Sequence, residues 1–61
     1  MPEDVMNDTR RQQIFRGLVE AQDGGMSVED SRVTVATSFG ISEAEVRRIE
    51  SEGLDKNWPP L

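Results

Sequence analysis

Apolar side chains recur at helical spacing in three stretches of the chain. In residues 10–22 the intervals are three and four residues rather than two, which predicts an amphipathic first helix. Asp8 or Thr9 can cap its start, and residues 23–25 can end it, because glycine accepts the left-handed backbone found beyond helix C-termini. The apolar positions of this stretch are Ile14, Phe15, Leu18, Val19 and Ala21.

The second stretch is open to two interpretations. Ser27 can begin it as a helix cap, with Asp30 in the reciprocal position of a capping box. Residues 32–37, however, are rich in β-branched side chains and alternate as a strand would. We favour a helix, because a single strand would have no partner to pair with. The apolar face of that helix would carry Val28, Val35, Ala36 and Phe39.

The third stretch has the clearest start signal. Gly40 can take a left-handed turn, and Ser42 is a helix cap with Glu45 three residues later. We expect a helix from residue 43 to about Gly53. Its buried side would hold Val46 and Ile49, extended by Leu54, and its opposite side would hold Ala44, Arg47, Arg48 and Ser51.

Together these elements predict an all-α fold: a small three-helix domain with a helix-turn-helix and an irregular Trp-Pro-Pro-Leu tail. The spacing of Ala36, Gly40, Val46 and Ile49 favours a helix-turn-helix, in which a small residue lets the helices approach and glycine makes the turn. We expect a flexible leader at 1–7 and one domain at 8–61. The expected core is Ile14, Phe15, Leu18, Val28, Val35, Ala36, Phe39, Ile41, Val46, Ile49, Leu54 and Trp58.

The composition excludes several kinds of chemistry. The chain has no Cys, His or Tyr, so it can form neither disulfides nor the usual zinc sites, and it lacks Cys and His nucleophiles. Nothing in the pattern gathers carboxylates in a pocket, so we expect no enzyme, no cofactor, no metal and no small-molecule substrate. No segment is apolar for long enough to cross a membrane, and we expect a cytoplasmic protein without membrane partners.

Two segments of the chain also resemble a known family. Residues 27–30 read Ser-Val-Glu-Asp, and 39–54 read Phe-Gly-Ile-Ser-Glu-Ala-Glu-Val-Arg-Arg-Ile-Glu-Ser-Glu-Gly-Leu. Within about 28 residues they resemble region four of bacterial sigma factors, most closely in Val-Arg-Arg-Ile-Glu at 46–50. The resemblance implies that the third helix lies in the major groove of double-stranded DNA and that the domain is held to RNA polymerase. The groove-facing residues it implies are Ser42, Glu43, Ala44, Arg47 and Arg48.

The charges depart from this family. Glu43 and Glu45 stand where the family has basic residues at the start of the recognition helix, and Glu52 and Asp55 stand where it has them after the helix. The chain carries seven basic and twelve acidic residues, a net charge of −5, whereas DNA affinity depends on cations that neutralise phosphates. A second hypothesis therefore stays open: an acidic protein-interaction module with the same fold, which binds polymerase, another protein or its own copy.

Two further groups of residues are candidates for partner contacts. The predicted first helix is the only net-positive segment, because it carries Arg10, Arg11 and Arg16. These arginines would either contact a DNA backbone or an acidic partner, or pair with Glu45, or simply be solvated. The C-terminal tail consists of Trp58, Pro59, Pro60 and Leu61. It would either dock in an aromatic-lined groove of another protein or fold back over the first and third helices.

Overall fold

The computed structural model describes residues 7–60, which form three helices. α1 spans Asp8–Asp23, α2 spans Val28–Phe39 and α3 spans Glu43–Lys56, and each helix packs against the other two. No strand occurs among residues 7–60, so the all-α prediction is confirmed and the ambiguous stretch at 32–37 is helical. Residues 1–6 and Leu61, which hold most of the predicted leader and the end of the predicted tail, lie outside the described residues.

Each helix begins with a side-chain cap. Ser27 Oγ accepts a hydrogen bond from the Asp30 N–H at 3.1 Å, and Ser42 Oγ accepts one from the Glu45 N–H at 3.1 Å, as predicted. The predicted cap of α1 is wrong. Asn7 caps this helix, with its Oδ1 accepting from the Arg10 N–H at 2.8 Å, so Asp8 is already the first helical residue. Asn7 thus belongs to the domain and not to the leader.

Two helices end in a left-handed residue. Gly40 ends α2 with a φ of 71°, and its N–H donates to the Ala36 carbonyl, which confirms the predicted turn. Asn57 ends α3 with a φ of 54°, and its N–H donates to the Gly53 carbonyl. α3 therefore runs three residues beyond its predicted end at Gly53, because this glycine stays helical and the asparagine supplies the left-handed cap.

The core lies between the three helices and is closed by the chain after α3. Eight apolar residues are buried: Ile14, Phe15, Leu18, Val35, Ala36, Val46, Ile49 and Trp58. All eight belong to the predicted core, and the predicted Phe39 and Ile41 are partly buried against them. Trp58 packs edge-on against Phe15 with the ring centroids 6.1 Å apart, so the chain after α3 returns to α1 at this residue.

Val28 and Leu54 are wrongly predicted as core, since they are 46% and 57% exposed. The buried stripe of α3 runs through Val46, Ile49 and Gly53. Leu54 follows Gly53 by one residue, which turns it about 100° away from that stripe. Val28 is the first residue of α2 and lies before the first buried position of this helix.

That first buried position of α2 is polar. Ser31 is fully buried, and its hydroxyl donates to the Val28 carbonyl at 2.7 Å and accepts from Gln22 Nε2 at 3.1 Å. These bonds satisfy the hydroxyl inside the domain and join the end of α1 to the start of α2. The hydrophobic pattern gave no indication of this contact, because Ser31 and Gln22 are both polar.

Candidate interaction face

The exposed side of α3 carries four of the five residues that the sigma resemblance implies for DNA contact. It consists of seven exposed residues, which we call the α3 face: Glu43, Ala44, Arg47, Arg48, Ser51, Leu54 and Asp55. At about 100° per residue, Ala44 and Ser51 lie opposite the buried stripe and mark the midline of this face. Arg47 and Leu54 flank the midline on one side, and Arg48 and Asp55 flank it on the other.

All five residues that the sigma resemblance implied are exposed at the start of α3. Four of them belong to the α3 face, and the fifth, Ser42, uses its hydroxyl as the cap of this helix. Leu54 and Asp55 were not predicted as site residues. Their positions seven and eight residues after Arg47 place them on the same side of a helix, but the sequence does not reveal that α3 continues to Lys56.

Ion pairs tie α3 to the other two helices. The Nε and Nη2 atoms of Arg32 in α2 both donate to Oε1 of Glu50, at 3.0 and 2.8 Å. Arg11 in α1 donates from Nε to Oε1 of Glu52 at 2.9 Å and also pairs with Asp8. These arginines therefore stabilise the packing of the helices, and their positive charge is largely neutralised where it stands.

The remaining pairs lie within single helices. Arg16 pairs with Glu20 at 3.1 Å, Lys56 with Glu52 at 2.9 Å, and Arg48 with Glu45 at 3.5 Å. Glu45, for which we hypothesised a pair with the arginines of α1, is thus paired with the next turn of its own helix.

Two arginines make no ion pair within residues 7–60. Arg10 lies over the ring of Phe39, 5.1 Å from its centroid, and its Nε is buried without a hydrogen-bond partner in this part of the chain. Arg47 is exposed and has neither an ion pair nor a hydrogen bond to its side chain among these residues. Within the described part of the chain, five of the seven cations are therefore held by carboxylates, a sixth is stacked on an aromatic ring, and the guanidinium of Arg47 has no ion-pair partner.

Several carboxylates, in contrast, have no ion pair within the described part of the chain. Asp23, Glu29 and Asp30 surround the turn between α1 and α2, beside the exposed side chain of Met26. Glu43 and Asp55 stand at the two ends of the α3 face. The unpaired surface charge of residues 7–60 is thus mainly negative.

The neighbours of the Glu52 carboxylate in the fold lower its pKa. Its hydrogen bond from Lys56 holds the pKa below the ordinary value of 4.5; partial burial opposes this, and Arg11 adds to the lowering. The same hydrogen bond raises the pKa of Lys56 above 10.5. Both groups thus keep their charges over a wider pH range than isolated side chains would.

A shallow groove runs between α1 and the chain after Trp58. It has a volume of about 260 Å³ and is lined by Thr9, Gln12, Gln13, Arg16 and Pro59. The lining contains no carboxylate. Within residues 7–60, no group of three or more acidic side chains is placed to hold a metal ion, and none of the three helices has the length and apolar character needed to cross a bilayer.

Comparison of the chain with protein-family models, with curated proteins and with solved structures finds no match. The resemblance to sigma region four therefore stays a prediction from the residues quoted for it. The function of the chain is therefore inferred from the α3 face and the charges around it.

Proposed function

We propose that this chain is a protein-interaction domain whose binding surface is the α3 face. The observation that carries the proposal is the fate of the positive charges: five of seven cations are held by carboxylates of the same chain. Nucleic-acid affinity comes mainly from free cations that displace counterions from phosphates. Within residues 7–60, Arg47 is the single cation that is neither paired with a carboxylate nor stacked on a ring, so this domain, with a net charge of −5, lacks that source of affinity.

The charges at the ends of the α3 face support the same conclusion. Glu43 and Asp55 stand where a DNA-reading helix would approach the phosphates of the two strands. The phosphates would repel two unpaired carboxylates at these positions. Even where Arg47 reached a base, little attraction to the backbone would remain to hold the domain in register.

The side chains of the α3 face suit contact with another protein. Leu54 is 57% exposed and is not part of the core, so its burial against a partner would contribute to binding. Ala44 and Ser51 are small and lie on the midline, where they allow a second backbone to come close. Arg47 adds a long side chain of a type enriched in protein interfaces.

DNA binding is the second candidate, supported by one observation. The five residues implied by the sigma resemblance are all exposed, and they lie together at the start of α3. In this alternative, Arg47 and Arg48 contact base edges of double-stranded DNA, and RNA polymerase holds the domain at a promoter. Arg16 is the α1 arginine with the most accessible side chain for a backbone contact, since Arg10 is stacked on Phe39 and Arg11 is paired with Glu52.

Fluorescence anisotropy of a labelled mixed-sequence DNA duplex separates the two candidates. We expect no binding at low salt, where electrostatic attraction to phosphates is strongest. Binding that weakens steeply with salt, and that is lost in a chain carrying Arg47→Ala and Arg48→Ala, would overturn the proposal in favour of DNA. A chain with Gln13→Glu and Thr34→Glu, at exposed positions outside the α3 face, has the same net charge and controls for its overall effect.

Photo-crosslinking tests the protein-binding face directly. A photoreactive side chain is placed at Ser51 on the midline of the α3 face, or at the exposed Gln13 of α1 as a control, in cells that make this chain. We expect a covalent protein adduct from position 51 and none from position 13, and loss of the adduct when Leu54→Asp is added. Equal crosslinking from both positions, or none from position 51, would contradict the proposal.

A further inference from the structure

We infer that the partner of the α3 face is a second copy of this chain, bound through an antiparallel α3 pair with the two Ser51 residues facing each other at the two-fold axis. This inference rests on the proposed function, since it requires the α3 face to be a protein-binding surface. It goes further by naming the occupant, the orientation and the pairs of residues in contact.

The spacing of residues along the α3 face is symmetric about Ser51. Arg47 and Arg48 precede Ser51 by four and three residues, and Leu54 and Asp55 follow it by three and four. A two-fold axis at Ser51 therefore brings each arginine level with one of the two later residues of the other copy. A symmetric interface requires this property, because every contact must occur twice with the partners exchanged.

The placement of these residues on either side of the midline is consistent with this register. In an antiparallel pair related by a two-fold axis, a residue on one side of the midline meets a residue from the same side of the second helix. Arg48 and Asp55 share one side of the midline, so each would meet the other across the axis. Arg47 and Leu54 share the opposite side, so the methylene groups of Arg47 would cover Leu54 of the second copy.

The contact between Arg48 and Asp55 of the second copy joins opposite charges, and both side chains are exposed. Asp55 has no ion pair within residues 7–60, and Arg48 is held only by Glu45 at 3.5 Å, with 76% of its side chain exposed. Arg48 can therefore turn to Asp55 of the second copy with little loss. Two such pairs form per dimer, one at each end of the contact, and they also oppose a parallel arrangement of the helices.

The midline permits a close approach. Ser51 is small and exposed, and helices whose contact positions carry small side chains pack with their axes about 8 Å apart. A larger residue at position 51 would meet its own copy on the axis and push the helices apart. A single substitution at position 51 therefore changes both sides of the contact, because both copies carry it at the two-fold axis.

The size of the contact sets the expected strength. The 14 residues of α3 extend for about 21 Å, and a contact along a single helix lies at the lower limit of specific interfaces. We therefore expect a weak dimer, with a dissociation constant on the order of 100 μM, and a monomer at high dilution.

Sedimentation velocity of the purified full chain, from about 10 μM to about 1 mM, tests the inference. We expect the sedimentation coefficient to rise with concentration from monomer to dimer. Arg48→Asp or Asp55→Arg alone should weaken the dimer roughly tenfold or more, because each change places like charges together twice in the symmetric contact. The two changes together restore opposite charges and should restore the dimer, which a general loss of folding would not do.

Two matched variants control for net charge. Arg16→Asp and Asp23→Arg change the charge of the chain by the same amounts as the test variants but lie outside the α3 face. They should leave the dimer unchanged. Ser51→Trp should also abolish the dimer, and circular dichroism of every variant confirms that the helices are intact.

The remaining outcomes separate this inference from the proposed function. A chain that stays monomeric at all concentrations, or a dimer unaffected by the changes at Arg48 and Asp55, would overturn the inference. If a monomeric chain still gave a position-specific adduct from Ser51 in cells, with the mass of another protein, the α3 face would be a protein-binding surface with a different partner. If neither dimer nor adduct formed, the proposed function would fail as well.

Discussion

A Cβ atom at position 53 would lie 2.2 Å from Cδ1 of Phe15, so the backbone of α3 rests directly on this ring. Contacts below 3.0 Å are essentially absent for real Cβ atoms. The ring has little freedom to move aside, because it is buried and Trp58 packs against it edge-on. Gly53 is therefore the residue that allows α3 to pack this closely on α1.

Gly53→Ala should destabilise the domain. Overpacking a core typically costs about 1 to 3 kcal/mol, while alanine regains up to about 1 kcal/mol of helix propensity, so the middle of the range gives a net loss of about 1 kcal/mol. Urea unfolding followed by circular dichroism measures the change.

Gly17→Ala is the matched control, since Gly17 is also a glycine inside a helix. A Cβ atom there would lie 3.5 Å from Phe39 Cε2, which is an ordinary van der Waals contact. We expect this change to stabilise the domain by up to about 1 kcal/mol. Equal effects at positions 17 and 53 would show that close packing on Phe15 does not limit position 53.

Trp58→Ala should remove a large part of the stability of the domain. Removing a buried Trp typically costs about 3 to 5 kcal/mol, whereas a chain of this length has a total stability of roughly 3 to 9 kcal/mol. Leu54→Ala removes a large apolar side chain from the surface, so it should change stability by less than about 0.5 kcal/mol. Thermal unfolding of both variants provides the comparison, and a larger loss from Leu54→Ala would place that side chain in the core after all.

The Arg32 and Glu50 pair should couple more strongly than the Arg16 and Glu20 pair. The first joins two helices with side chains 26% and 17% exposed, and the second lies within one helix with side chains 68% and 60% exposed. Double-mutant cycles with Arg→Ala and Glu→Gln should give coupling of about 1 kcal/mol for the first pair and about 0.3 to 0.5 kcal/mol for the second. A reversed order would show that the bond between α2 and α3 contributes little.

Acid should remove the contribution of Glu52 to stability. Its pKa is lowered in the folded chain by the hydrogen bond from Lys56, with Arg11 adding to the effect. A lowered folded-state pKa means that the stabilisation is present above the ordinary value of 4.5 and is lost as the pH falls through the folded-state pKa. Glu52→Gln should therefore be less stable than the natural sequence near neutral pH, and the two should converge in acid.

Lys56 provides the opposite arm of this test. Its pKa is raised by the hydrogen bond to Glu52, so its contribution is present below 10.5 and is lost as the pH rises through the raised value. Unfolding curves for both chains across the pH range measure the two limits. A constant difference between Glu52→Gln and the natural sequence at all pH values would contradict the assignment.

The third helix could be predicted from the sequence because its capping residue and apolar spacing agree, whereas the second was predicted from its cap and from the lack of a pairing partner for a strand. Ser27 and Ser42 mark helix starts, and Gly40 marks a left-handed turn, each through a local hydrogen bond that needs no other part of the fold. Asn7 was missed since Asp8 and Thr9 are equally good caps, and only the position of the first helical turn decides among three adjacent candidates.

The extent of the core was harder to predict, because it depends on how closely the helices approach. Gly53 has no hydrophobic side chain, so the pattern did not count it as part of the buried stripe, and Leu54 was taken instead. The α3 face could be predicted only in part for the same reason: Leu54 had been assigned to the core. The pairing of the arginines was equally out of reach, because a partner such as Glu50 or Glu52 is chosen by packing.

The carboxylates around the turn between α1 and α2 also give the molecule an electrical orientation. Asp23, Glu29 and Asp30 border this turn without ion pairs in the described part of the chain, whereas on α3 the guanidinium of Arg47 accompanies the carboxylates of Glu43 and Asp55. In the field of a positively charged surface, the domain would rotate to bring the turn forward before any contact formed. Encounters steered by this charge would therefore begin at residues of the turn, whereas binding through the α3 face uses a different set of residues.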